Sequence, residues 1–470
     1  MSTDDERGKS VAALIAPDIL ELLDSAPEAI AAETEEMHAA DLADVATAIP
    51  RERVRDLLAA LPSARAADVL EYLGDELRTE VLEEMSAGEA AKIVAEMNPD
   101  ERADALEELE EETFDDILSE IPQETREETE RLLAYEPDTA GGLMTTEFVS
   151  VPGDRTVEEA LSAVRRVARS GKAEGMHAIY VIDPERRVVG VLSLRELLAA
   201  PEGARVSDVA WEEVVTVSPD ADREEVAQLT SKYDVVALPV ADDQGRMIGI
   251  VTVDDVIDAL EQEHTEDVQK FGGMEAIEHP YMETGVLLML RKRAGWLSAL
   301  FIGEMLTASA MQHFEAELAQ AVVLALFIPL IISSGGNSGS QATSLIIRAM
   351  ALQEVRLRDW WRIAGREAIS GVSLGLILGS IGFLRIVLWQ ILGIWDYGPF
   401  WLLIALTVGL SLLTIVFFGT MVGSMLPFIL RRLGFDPASA SAPFVATLVD
   451  VTGISIYFTI ALLVLRGTLL

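Results

Sequence analysis

The chain is predicted to be multi-domain: an α-solenoid N-terminal domain, a tandem pair of α/β modules, a linking helix and a five-helix transmembrane bundle. Three observations predict this. Apolar residues recur at a 12-residue period through the N-terminal part. One strand–turn–strand–helix grammar is written twice in the middle. Five long apolar segments fill the C-terminal part.

The solenoid is assigned to residues 1–136. Ile49, Leu61, Leu73, Met85, Met97, Leu109 and Ile121 recur every 12 residues, each followed by a breaker or polar residue such as Pro50, Pro62, Gly74 or Pro122. The positions three before them, from Leu58 to Leu118, are apolar as well. Helices this short are marginal alone and must stack. A single long coiled coil is disfavoured by the prolines and by a period of 12 in place of 7.

The modules are assigned to residues 137–200 and 201–260. In the first, the apolar run Ala178–Asp183 leads through a turn to Val188–Leu192, then Ser193 and Glu196. In the second, Val235–Val240 leads to Met247–Val251, then Thr252 and Asp255. A hydroxyl residue followed three positions later by an acid marks a helix start. The linking helix, 253–273, follows directly.

The membrane part is assigned to 285–470. Its apolar segments are Gly295–Met311, Ala321–Ile347, Glu367–Ile394, Pro399–Leu426 and Ser441–Leu465. Basic residues cluster at Arg291–Arg293, from Arg348 to Arg366, and at Arg431–Arg432. The positive-inside rule places these loops and the N-terminal head in the cytoplasm and the C-terminus outside, in a multi-pass protein of the cell membrane. The start, MSTDDERGKS, has no apolar signal-peptide core.

Charge divides the chain in the same way. From Gly285 onward there are 12 basic and 9 acidic residues, against 24 and 69 before it. Such a head repels nucleic acid, so none is expected as a partner, and it attracts divalent cations. The same acidity also reads as a solubilising surface or adaptation to high salt, and the presence of only 6 Lys fits that reading. The chain has no Cys, which removes disulfides, thiolate metal sites and Cys nucleophiles.

Three membrane features carry chemistry. Asp450 lies deep in FVATLVDVTGISIYF, where a carboxylate costs about 2.5–3.5 kcal/mol on insertion scales. It reads either as part of an ion pathway or as a structural group bonded to Thr447 or Thr452. The tract Ser333–Thr343, with three glycines after Pro329, is expected to loosen the helix. Its freed carbonyls and the Asn337 and Gln341 amides would then meet a hydrated cation; small-residue helix packing is the other reading. Glu304 faces a cavity or an interface. A hydrated Mg2+ suits one or two carboxylates, and a two-fold homodimer brings two copies of Asp450 to one axis. No catalytic site is expected: there is no HExxH, and His38, His177, His264, His279 and His313 are scattered.

The order of these parts, with DTAGGLMT at Asp138–Thr145, GIVTVDDV, GGNSGSQ and PFVATLVD, resembles the MgtE magnesium channels along nearly the whole length. The resemblance implies tandem CBS modules, a plug helix that blocks the pore when cytosolic Mg2+ is plentiful, and a homodimer in the bilayer importing Mg2+. It implies a pore ion site at Asp450 with Ala446. It implies regulatory Mg2+ sites at Asp222, Glu224, Asp234, Asp255, Asp258, Glu266 and Asp267, and in the solenoid at Asp68, Asp100 and Asp104, with backbone near Gly141. Arg195 and Glu196 match the family's nucleotide (ATP) site, where Glu196 replaces an Asp; Ala442 stands where an Asn is expected. On one helical wheel Asp255, Asp258, Glu263 and Glu266 share a broad face, so their repulsion is relieved by divalent cations. Transport of Co, Mn, Ca or Zn, or a non-conducting CBS sensor, remains open on the sequence.

Overall fold

The computed structural model describes residues 5–169, 175–277, 281 and 284–469, the side chains of 5–10 and 175–177 excepted. His279 and the His177 side chain lie outside the described residues, as does the start of the MSTDDERGKS segment. Two compact units emerge, Met1–Glu261 and Gln262–Leu470.

In the first unit each 12-residue period is one helix and one turn. Helices Arg51–Ala59, Ser63–Glu71, Asp75–Glu84, Ala87–Val94, Pro99–Glu107, Glu111–Glu120 and Gln123–Leu132 follow one another. Each starts just after one of the periodic breakers: Pro50, Pro62, Gly74, Ser86, Asn98, Glu110 and Pro122 are the N-cap residues. Alternate helices pack on each other, Arg51–Ala59 on Asp75–Glu84 and Ala87–Val94 on Glu111–Glu120. The periodic residues from Ile49 to Ile121 are buried in one continuous core, and so are Leu58, Leu70, Leu82, Val94 and Leu106. Leu118, in the next-to-last repeat helix, is only partly covered. These are the stacked faces a helical solenoid requires.

The modules follow. Strands β1 (Phe148–Pro152), β2 (Gly175–Ile182) and β3 (Val188–Ser193) form one sheet, β1 parallel and β3 antiparallel to β2. Strands β4 (Ala237–Ala241) and β5 (Met247–Thr252) pair antiparallel. The modules are interleaved: Thr145, before β1, exchanges both backbone hydrogen bonds with Ile250 of β5, at 2.8 and 3.0 Å. The Tyr180 hydroxyl donates to the Ala237 carbonyl at 3.0 Å. The linking helix is continuous over Val253–Phe271.

In the second unit, among the described residues, five helices are long and apolar enough to cross a membrane. They are Val286–His313, Val322–Ala351 (with a 3-10 start), Leu357–Ile391, Trp401–Arg432 and Ala442–Leu465. The first begins at Val286, ahead of the apolar segment expected from Gly295, because Arg and Lys are good helix formers and do not end a helix.

The expected loosening of the second span does not occur. Ile328–Ala351 is one unbroken α-helix, with Pro329 in its first turn where a missing N–H costs nothing. Its glycines are contact surfaces. A Cβ on Gly339 would lie 2.8 Å from Val445 and 3.0 Å from the Gly419 carbonyl oxygen; one on Gly335 would lie 2.5 Å from Ile415. Ser338 and Thr420 hydroxyls meet at 2.6 Å, and Thr343 donates to the Gly423 carbonyl at 2.8 Å. Close packing of small residues thus accounts for the glycines, and the backbone carbonyls stay in the helix.

Candidate ion pathway and regulatory acid cluster

The fifth span starts at Ser441, whose side-chain oxygen accepts the Phe444 N–H at 3.3 Å and the Trp296 indole N–H at 3.2 Å. Pro443 follows within its first turn, pre-set for the helix. From there Ala442, Ala446 and Asp450 recur at helical spacing. The second span runs antiparallel against this face: the Ser340 hydroxyl donates to the Ala442 carbonyl at 3.3 Å, and a Cβ on Gly336 would sit 3.5 Å from Ala446. Continuing that register one turn brings Asp450 level with Ile332 and Ser333. The first span packs on the next flank, with Gly303 against Thr447. Glu304 is the acidic residue next to Gly303 on that flank.

Asp450 is half-buried, and neither neighbouring threonine holds it. The Thr447 hydroxyl donates to the Pro443 carbonyl at 3.0 Å, and that of Thr452 to the Leu448 carbonyl at 2.8 Å. Asn337 and Gln341, one turn apart, are exposed beside the Gly336–Ala446 contact. The Asn337 amide donates to Ser333 at 3.4 Å. Glu304 is exposed too.

In the first unit, Asp100 and Asp255 come together with Asp104. Asp100 sits in the first turn of Pro99–Glu107, 6 % exposed, and its Oδ1 is buried without a hydrogen-bond partner. Asp255 opens the linking helix and accepts from the Thr252 hydroxyl, and from the Thr252 N–H at 3.3 Å. Burial raises both carboxyls; Asp104 and Glu71 raise Asp100 further, and Asp100 raises Asp255. Asp104 is raised in the same direction, first by burial of its carboxylate among its neighbours and then by the charges of Glu108, Glu107 and Asp255, although its residue surface reaches solvent. Glu71 and Glu101, which the sequence reading passed over, join this group, both raised first by burial. Only proximity across the repeat reveals them, since acidic residues are everywhere in this head.

The other expected regulatory residues fall into separate places. Asp68 is exposed, 3.8 Å from Arg65. Asp222 caps the helix Arg223–Tyr233 by accepting the Glu224 N–H at 2.8 Å. Gly141 lies beside that turn, its N–H donating to the Pro219 carbonyl at 2.8 Å. Asp234 is at the opposite end of the same helix, in a left-handed conformation, about 18 Å away by helix rise. Asp222 and Asp234 therefore do not share one ion within this chain. The Val253 N–H donates to Val236 at 2.9 Å, which seats the Asp234 end beside the linking helix. Asp258 is exposed there. Among the described residues, no three His, Asp or Glu converge closely enough to hold a metal ion.

Glu266 and Asp267 lie in the second unit with a partner the sequence did not disclose. Lys270 bridges Glu266 at 2.5 Å and Asp436 at 2.7 Å, in the loop before the fifth span. Asp267 is raised to about 6 by burial and by Asp436. Beyond the helix, Gly273 at φ +79° lies against Trp296 and Pro443. Arg195 is exposed, whereas Glu196 is occupied. It accepts from the Ser193 N–H at 2.8 Å, the Ser193 hydroxyl at 2.9 Å and the Trp211 indole at 2.8 Å.

Family models match the chain as a divalent cation transporter (MgtE) over 328–460, the MgtE intracellular N domain over 37–138, and CBS domains over 140–203 and 206–262. The magnesium transporter MgtE of Thermus thermophilus is 46% identical over 73% of this chain and 73% of its own length. That of Enterococcus faecalis is 35% identical over 72% of each. A solved cytosolic domain of the Mg2+ channel MgtE in complex with ATP is 40% identical, with a TM-score of 0.49 over 52% of this chain and 99% of that one. Both of these curated relatives are named magnesium transporters. Interleaved CBS modules behind a helical N domain, joined in one chain to five apolar helices, make this protein a member of the MgtE family of magnesium transporters.

Proposed function

We propose that the chain imports Mg2+ into the cytosol through a pathway at the fifth span, and that cytosolic Mg2+ shuts it through the acidic head. One observation carries the pore reading: Asp450 is half-buried in an apolar span while its threonine neighbours are both engaged with their own backbone. A carboxylate so placed calls for water or a cation. Ala446 opens space one turn before it, and Asn337 and Gln341 offer neutral oxygens to a hydrated ion. A homodimer in the bilayer belongs to this reading, because a two-fold axis would bring two copies of Asp450 to one pathway. The basic loops favour a cytoplasmic head and an external C-terminus.

For gating, Asp100, Asp104 and Asp255, with Asp258, Glu266 and Asp267 further along the linking helix, would hold the regulatory ions. Asp68, Gly141, Asp222, Glu224 and Asp234 would hold others. The orphaned Asp100 oxygen fits a hard divalent cation. The ligands not yet converging means that binding must draw them together, so the ion selects one of two arrangements. The nucleotide proposal rests on Arg195, since the Glu196 carboxylate is committed to its helix start. ATP titrated against Arg195→Ala checks it.

The deciding experiment is Mg2+ flux into proteoliposomes. Asp450→Asn abolishes it and Glu304→Gln lowers it severalfold. Wild-type flux in Asp450→Asn would refute the pore assignment, and competition with Co, Mn, Ca and Zn tests selectivity.

A further inference from the structure

We propose that the head carries a second ligand site, for a small phosphorylated organic molecule, in a cleft of about 490 Å³ between the last solenoid helix and the β-turns of both CBS modules. The cleft is a local reversal of charge. In a head with 24 basic and 69 acidic residues, Arg131, Arg186 and Arg246 all line it.

The fold brings them there by three routes. Arg131 is in the last turn of Gln123–Leu132, its Nε donating to the Glu127 carbonyl at 3.1 Å. Arg186 is in the β2–β3 turn at φ +64°, an uncommon conformation for a residue with a side chain. Arg246 leads into β5. The two turns are stitched together by backbone: Arg187 bridges Arg246, and the Met247 N–H donates to the Arg186 carbonyl at 3.0 Å.

The carboxylates lining the cleft do not neutralise all three. Glu128 is taken by Arg102 at 2.9 Å and the Thr146 hydroxyl at 2.6 Å. Asp242 is taken by the Arg246 guanidinium at 2.7 and 2.8 Å. Arg131 and Arg186 make no ion pair among the described residues, so two guanidinium forks face the cleft uncompensated. Such forks match phosphate oxygens in pairs. Beneath them the floor is apolar: Leu132 and Met247 are buried, and Phe148 lies beside them. Charge above and hydrocarbon below suit a phosphate joined to a carbon skeleton. The volume falls within the range of small-molecule sites, roughly 300–1,000 Å³.

This place is distinct from Arg195 and Glu196. Those lie at the far end of β3 from the Arg186 turn, about 20 Å along the strand. One wall belongs to the solenoid and the other to the modules, so a ligand needing both stabilises their docking by mass action.

The test is calorimetric titration of the detergent-solubilised full chain in EDTA. Adenosine 5′-monophosphate, ribose 5-phosphate and inorganic phosphate are the probes. We expect saturable binding of the organic phosphates. In an Arg195→Ala background, which removes the nucleotide site proposed above, it should be at least about tenfold weaker in Arg131→Gln/Arg186→Gln and intermediate in Arg131→Lys/Arg186→Lys. Both arginines are exposed, so an unaltered melting temperature is expected and certifies the fold. The proposal is overturned by no saturable binding of either organic phosphate. Binding that survives the Gln pair in that background also overturns it. Equal affinity for inorganic phosphate removes the apolar floor from the site.

Discussion

Lys270→Met is the sharpest probe of how the linking helix is held. In the structure the Lys270 ammonium is 2.7 Å from Asp436 and 2.5 Å from Glu266, with 27–34% of these side chains exposed. The Glu266 pair lies within one helix, so the tether to the loop before the fifth span is the Asp436 pair. An ion pair this exposed contributes at most about 1 kcal/mol. Removing the ammonium also leaves Asp436 facing Glu266 and Asp267, a repulsion of about 1 kcal/mol more in water. The sum, about 2 kcal/mol, changes the ratio of tethered to released helix about 30-fold. If the helix obstructs the pathway when tethered, Lys270→Met raises flux into proteoliposomes at low internal Mg2+. At high internal Mg2+ the divalent ion neutralises the three carboxylates, and the variant is inhibited like the wild type. Asp436→Asn should give the same low-Mg2+ phenotype, and the double variant should be no worse than either single one. Wild-type flux at low Mg2+ in Lys270→Met, or strict additivity with Asp436→Asn to within about 0.3 kcal/mol, would refute the tether.

Two further outcomes follow from packing and charge. Asp100 and Asp255 are raised in the folded head, so their neutral forms are favoured there. The stability they supply is complete below the ordinary carboxylate value of about 4 and is lost as pH rises from there toward neutrality. Without divalent ions the head's melting temperature should therefore fall with pH over that window, Mg2+ should restore it at neutral pH, and Asp100→Asn should blunt both effects. Gly339→Ala would place a methyl 2.8 Å from Val445 and 3.0 Å from a fourth-span carbonyl, destabilising the bundle by about 1–3 kcal/mol. Gly365→Ala, with nothing within 4 Å, should be neutral or mildly stabilising in the same thermal assay.

Much of the molecule is local and therefore legible from the chain alone. The solenoid's period, the breakers that cap its helices, the Ser193/Glu196 and Thr252/Asp255 helix starts and the five apolar spans depend on neighbours within a dozen residues. Hydrophobic spacing and capping chemistry determine them. The oddity of Asp450 is equally local, a charge in a run of apolar residues. Tertiary structure decided the rest, because it depends on which distant groups share a low-dielectric or crowded space. It turned the glycines of Ser333–Thr343 into helix contacts, because the facing fourth-span carbonyls leave no room for a Cβ. It separated Asp222 from Asp234, because a helix of fixed rise stands between them. It selected Asp100 and Asp255 from 78 acidic residues by burying them side by side, and set Lys270 against Asp436 across 166 positions of sequence. Composition supplies the charges; only burial and proximity decide which of them interact strongly enough to matter.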